Sequence, residues 1–110
     1  MKLPLLGLVL ALSAGAAAAQ GGTAVASLLA KDGCQGCHAQ ADKVNGPSWH
    51  DIAARYVSRP DAPSYLAGKI RNGSSNTWGA AAMPPNAGID ELELKTIVEW
   101  IVAGAPASAH

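Results

Sequence analysis

The pentapeptide Cys34-Gln35-Gly36-Cys37-His38 constrains this chain more than any other feature. The chain has two cysteines, and both lie here, with a histidine directly after the second. In C-x-x-C-H the two thiols are spaced to add to the two vinyl groups of a haem as thioethers, while the histidine offers an axial nitrogen to the iron. A chain tied in this way has to fold around a large planar group. Two other chemistries use cysteines at this spacing. A dithiol or disulfide pair leaves His38 without a role and lacks the β-α-β surroundings of a thioredoxin-like site. A structural zinc needs a second ligand pair. His50 and His110 stand apart from the motif and read as surface residues. Attachment of haem c is the favoured reading.

A low-spin haem needs a second axial ligand. Met83 is the best candidate, because a thioether is a soft iron donor and Pro84-Pro85 stiffen the backbone that follows. The other methionine, Met1, belongs to the N-terminal segment. His50 as ligand, or an open sixth position, are the alternatives. A closed His/Met iron exchanges electrons, whereas an open one binds small molecules. Three further residues fit such a site. The Pro47 carbonyl lies in a turn, Asn45-Gly46-Pro47, and can accept the His38 Nδ1 hydrogen. Asn86 can hydrogen-bond the Met83 sulfur, and Trp78 can offer its indole N–H to a haem propionate. Each also has a plain structural reading, as turn, helix lead-in or packed aromatic. Trp100 reads as packing between the terminal helices.

Length and charge narrow the rest. A chain of 110 residues is one domain, not a multidomain enzyme. Eight basic and eight acidic side chains, scattered, argue against nucleic-acid binding. Residues 1–19 have the pattern of a secretory signal peptide: Lys2, an apolar run to Leu12, then small residues ending Ala17-Ala18-Ala19. The expected cleavage follows Ala19, leaving 20–110 as the working domain with flexible ends near 20–22 and 105–110. That domain carries seven basic residues against eight acidic ones and no phenylalanine. So small and alanine-rich a core is marginal by itself, and the missing apolar volume would be the haem.

Apolar spacing predicts helices and no credible sheet, so the expected class is all-α. Thr23 is the expected cap of a helix over about 24–32, stopped by Gly33. Ser48 and Asp51 resemble a capping box opening a helix from Trp49 to about Val57. Asp61 is the expected cap of a third helix ending at Asn72-Gly73, and Asp90 of a last one from Glu91 to about Ala103. The stretch from Ser74 to Asn86 is a long loop.

Together, C-x-x-C-H, Gly46-Pro47, Asn72-Gly73-Ser74, Trp78-Gly79, Met83-Pro84-Pro85-Asn86 and Trp100 resemble the short, single-haem class I bacterial cytochromes c. These carry electrons in denitrifying and related respiratory bacteria. The likeness spans residues 24–103, with the motifs in the family's order. It implies a compact fold of about four helices around one covalent haem c, with His38 and Met83 on opposite sides of the iron. It implies that Pro47 supports His38, that Asn86 approaches the Met83 sulfur, and that Trp78 meets a propionate. A neighbouring propionate contact is commonly arginine in relatives, and the aligned residue here is Lys69, which keeps the charge and lacks the fork. The expected function is a periplasmic one-electron carrier working with donor and acceptor redox proteins, not an enzyme. It would be a monomer or form weak transient complexes, with no membrane anchor in the mature chain. An electron-transfer subunit of a larger oxidoreductase is the alternative; a haem enzyme or gas-binding protein ranks lower. The uncharged run Gly79-Ala80-Ala81-Ala82 is the candidate docking patch.

Overall fold

The computed structural model describes residue 7 and residues 16–107. Four α-helices run in order: α1 (Ala16–Lys31), α2 (Trp49–Tyr56), α3 (Ala62–Asn72) and α4 (Glu91–Val102), with one 3-10 turn at Cys34–Gly36. Extended pairing among the described residues is confined to two isolated bridges, His38 with Lys43 and Ser74 with Met83. The all-α expectation holds.

Local chemistry sets most boundaries. Gly33 takes a left-handed φ of 74° that ends α1 and turns the chain into Cys34. Ser48 is fully buried and its Oγ accepts the Asp51 N–H at 3.1 Å, so α2 starts where its sequence predicts. Asp90 caps α4 with one carboxylate oxygen, which accepts from Leu92 N at 2.9 Å and Glu93 N at 3.2 Å.

Three expectations are corrected. In the full chain helix α1 starts at Ala16, so Thr23 and the expected flexible lead-in 20–22 lie inside it; the alanine run 16–19 that precedes them is a strong helix former. Asp61 flanks α3 without a side-chain capping bond; its carboxylate pairs with Arg59 instead. Ala105, expected to open a frayed tail, is fully buried. Gln40 Nε2 donates to its carbonyl at 2.6 Å, and Trp100 Nε1 donates to Pro106 O at 3.0 Å. Two side-chain donors have captured the tail carbonyls. Residues 108–110 and most of the expected export segment lie outside the described residues.

Helix α4 is the organising element, packing on α1, α2 and α3. Its seam of Leu94, Ile97, Val98 and Ile101 is buried against Val25 and Leu29 of α1, Ile52 of α2, and Leu66 and Ile70 of α3. The long segment between α3 and α4 is tied back to the end of α3 by the Asn86 N–H on Ile70 O, and it borders the same cavity as the Cys-Cys-His turn.

Candidate functional site

The motif builds one half of the site. In the 3-10 turn the Cys37 and His38 N–H groups both donate to Cys34 O, at 3.2 and 3.1 Å, which tightens the backbone that carries both thiols and the imidazole. Both cysteines are free thiols and partly buried, so the disulfide reading has no bond here. Burial pushes the Cys34 thiol upward, with Asp32 adding to the effect. His38 is buried, and its Nδ1 lies 2.7 Å from the Pro47 carbonyl. A carbonyl only accepts, so Nδ1 carries the proton and Nε2 keeps its lone pair for a metal. Trp49 packs against the imidazole, ring centres 4.7 Å apart, and meets Trp100 edge-on at 5.4 Å. Gly46 forms the floor: a Cβ there would stand 2.7 Å from His38 Cε1 and 3.0 Å from Nδ1.

The loop before α4 builds the other half. Ser74 and Met83 exchange backbone hydrogen bonds, Ser74 N to Met83 O at 3.0 Å and Met83 N to Ser74 O at 2.8 Å. The Asn86 N–H donates to Ile70 O at 2.9 Å, which staples the Met-Pro-Pro-Asn run to the end of α3. Gly73, at φ 75°, lies under that run; a Cβ there would come within 2.5 Å of Met83 O. The sequence names both glycines as turn formers, but their closer constraint is steric and visible only in three dimensions.

The two halves face one cavity of about 340 Å³. All eight residues singled out from sequence line it: Cys34, Cys37, His38, Pro47, Lys69, Trp78, Met83 and Asn86. Between them stand the apolar walls, chiefly Ile52, Leu66, Ile70, Ile97 and Ile101. Thiols, a lone-pair imidazole nitrogen and a thioether around apolar walls form a donor set that fits a haem c. Among the described residues no group of three His, Cys, Asp or Glu side chains is arranged to hold a metal ion by itself. Sequence reasoning assigned Trp49, Tyr56 and the isoleucines only to apolar stripes; helical periodicity tells which face is buried, not that part of that face borders a cavity. It assigned Arg55 nothing. Yet the Arg55 guanidinium lies 4.3 Å over the Trp78 ring and donates to Thr77 O at 3.2 Å. His50 is exposed, as expected, with Nε2 2.8 Å from Gln40 Nε2.

A family model described as cytochrome C oxidase, cbb3-type, subunit III matches residues 17–101. Cytochrome c-552 of Nitrosomonas europaea is 46% identical over 77 residues, covering 70% of this chain and 75% of the relative. The chain belongs to the small class I cytochromes c. Cytochrome c-552 of Hydrogenobacter thermophilus is 42% identical over 76 residues, covering 69% of this chain and 76% of the relative. The crystal structure of Nitrosomonas europaea cytochrome c552 superposes with a TM-score of 0.67 at 44% identity, covering 72% of this chain and 98% of that one.

Membership of the cytochromes c carries covalent haem c with it, and Cys34 and Cys37 are the cysteines present for it. This cytochrome is an electron-transfer protein and not an enzyme. No helix among its described residues is long and apolar enough to cross a membrane.

Proposed function

We propose that this cytochrome is a periplasmic one-electron carrier in which His38 Nε2 and the Met83 sulfur would hold the haem iron. The observation that carries the reading is the shared cavity, lined by both candidate ligands and both thiols, with His38 oriented by Pro47. Bound haem c supplies reversible exchange of one electron at iron, with no substrate bond made or broken.

The residues of the chain do the rest. Cys34 and Cys37 anchor the group covalently. Pro47 holds the imidazole in one tautomer and makes Nε2 a stronger donor. The Ser74–Met83 pair and the Asn86–Ile70 bond hold the methionine loop in place, which limits how far Met83 can move. Asn86 is the candidate hydrogen-bond donor to the Met83 sulfur, and Trp78 and Lys69 the candidate propionate contacts. The isoleucine walls exclude water, and with a thioether ligand this favours a relatively high potential. Gly79, Ala80, Ala81 and Ala82 are exposed beside Met83 and provide a small, uncharged docking patch for redox partners. With so little net charge, steering toward partners is weak. Export after cleavage near Ala19 delivers the chain to the compartment where haem attachment takes place.

The test is Met83→Ala, compared with the unaltered holoprotein by absorption in both oxidation states, including the near-infrared thioether charge-transfer region. The variant is expected to keep covalent haem and lose the thioether band. An unchanged sixth ligand would remove Met83 from the site. A second reading, a dedicated subunit of a larger oxidoreductase, draws support from the oxidase-subunit description of the matching family model. Stable co-purification with a membrane complex from native extracts would favour it over a free carrier.

A further inference from the structure

The segment 74–82 brings Thr77 and Trp78 to the cavity wall without regular structure, and left-handed residues interrupt it at Asn76 (φ 59°) and Gly79 (φ 116°). The Ser74–Met83 pair closes the segment where it meets the methionine. Across its middle reaches Arg55 from α2. Nη1 donates to Thr77 O at 3.2 Å while Cζ sits 4.3 Å over the Trp78 ring and 5.5 Å over Tyr56. Tyr56 meets Trp78 edge-on at 6.1 Å, so guanidinium, indole and phenol form one three-membered cluster. Arg55 is exposed and is not among the cavity-lining residues, whereas Trp78 and Thr77 are.

We propose that Arg55 is a positioning residue: it holds the Trp78 indole toward the cavity and adds a fixed positive charge at that end of it. A planar guanidinium can stack on a ring while donating to a carbonyl beside it; an ammonium is a point charge that cannot hold both in one geometry. Lys69, a lining cation, has its Nζ 5.3 Å from the Tyr65 ring and makes no contact with Trp78 of the kind Arg55 makes. A fixed positive charge near the haem favours the reduced state, so removing it lowers the potential. The inference rests on the reading of this cavity as the haem site with Trp78 at a propionate.

The test compares holoprotein carrying Arg55→Gln, Arg55→Lys or Trp78→Phe with the unaltered holoprotein, measuring midpoint potential by spectroelectrochemistry and exchange of the Trp78 indole N–H by NMR. In Arg55→Gln the ratio of reduced to oxidised protein at a fixed applied potential is expected to fall roughly threefold, as for loss of one solvent-screened charge. Indole exchange is expected to speed up about tenfold, as a local restraint is released. Arg55→Lys should keep most of the ratio and still lose the exchange protection. Unmoved exchange in Arg55→Gln, with or without a shifted potential, overturns the positioning role. Unprotected exchange with an unmoved potential overturns the charge contribution. Wild-type exchange in Arg55→Lys overturns the argument from the planar fork. An unmoved potential in Trp78→Phe overturns the site reading itself, and this inference with it, whatever the Arg55 variants do.

Discussion

Gly46→Ala places a methyl group into the edge of the His38 imidazole, where the nearest ring atom leaves no space for it. Either the ring moves off the Pro47 carbonyl or the 39–47 loop shifts, and overpacking of this kind costs about 1–3 kcal/mol. The expected outcome is a lower yield of haem-loaded protein and a lower urea midpoint. Gly73→Ala should act on the other half, because its methyl meets the Met83 carbonyl at a backbone φ that disfavours alanine. Its signature would be loss of the thioether band with the His38 side intact. Asp32 makes the residue-scale prediction for pH. Burial raises its carboxyl above the usual range, Glu93 adds to the rise and Lys31 opposes it. Its Oδ2 is buried without a hydrogen-bond partner among the described residues. A carboxyl raised in the fold contributes stability only below its unfolded pKa, and the contribution is lost as pH rises through the folded one. Asp32→Asn is therefore expected to raise Tm at neutral pH and to give no gain at about pH 3, as read by thermal melts across pH.

At the scale of elements, caps and seams carry separable energies. Ser48 is fully buried and holds the first turn of α2, which presents Trp49 to His38. Ser48→Ala is expected to cost about 1–2 kcal/mol, with the urea m-value unchanged. Ile97 borders both the packed core and the cavity and is 1% exposed. Ile97→Ala is expected to cost about 2–5 kcal/mol, the upper part if the site cannot collapse onto the gap. The helices themselves were readable because apolar spacing, caps and stop residues agreed: Ser48 and Asp90 cap as their residue types predict. Asp61 did not, since a nearby arginine competed for its carboxylate. The buried tail was not readable either. Gln40 is 65 positions from Ala105, and no local pattern reports so distant a donor.

For the molecule as a whole, the cavity explains why a fold of this size needs its cofactor. Its volume is about 340 Å³ and its walls are largely apolar, and apolar wall that faces water forgoes the burial that stabilises so small a domain. A variant with both Cys34 and Cys37 changed to Ala is thus expected to lose cooperative unfolding, seen as a broad calorimetric transition and weak near-UV signal. Sharp, native-like unfolding of that variant would show that the protein walls suffice. The ion pairs make a smaller contribution. Lys31 with Glu93 and Arg71 with Glu91 link α1 and α3 to the start of α4, but pairs this exposed contribute little individually.

The sequence by itself determined the helical class, the attachment motif and the set of residues to be gathered, because each depends on local spacing or on side-chain chemistry that position does not alter. C-x-x-C-H states its chemistry in five consecutive residues. Met83 was identifiable because the only other methionine lies at the chain start and two prolines follow it. Only the tertiary structure decided what stands behind those groups: Trp49 against the imidazole, glycines pressed under both candidate ligands, Arg55 over Trp78, and a tail closed down by Gln40 and Trp100. These are contacts between segments far apart in the chain. Their partners are chosen by how four helices and one long loop close around a shared volume, and local pattern carries no record of that closure.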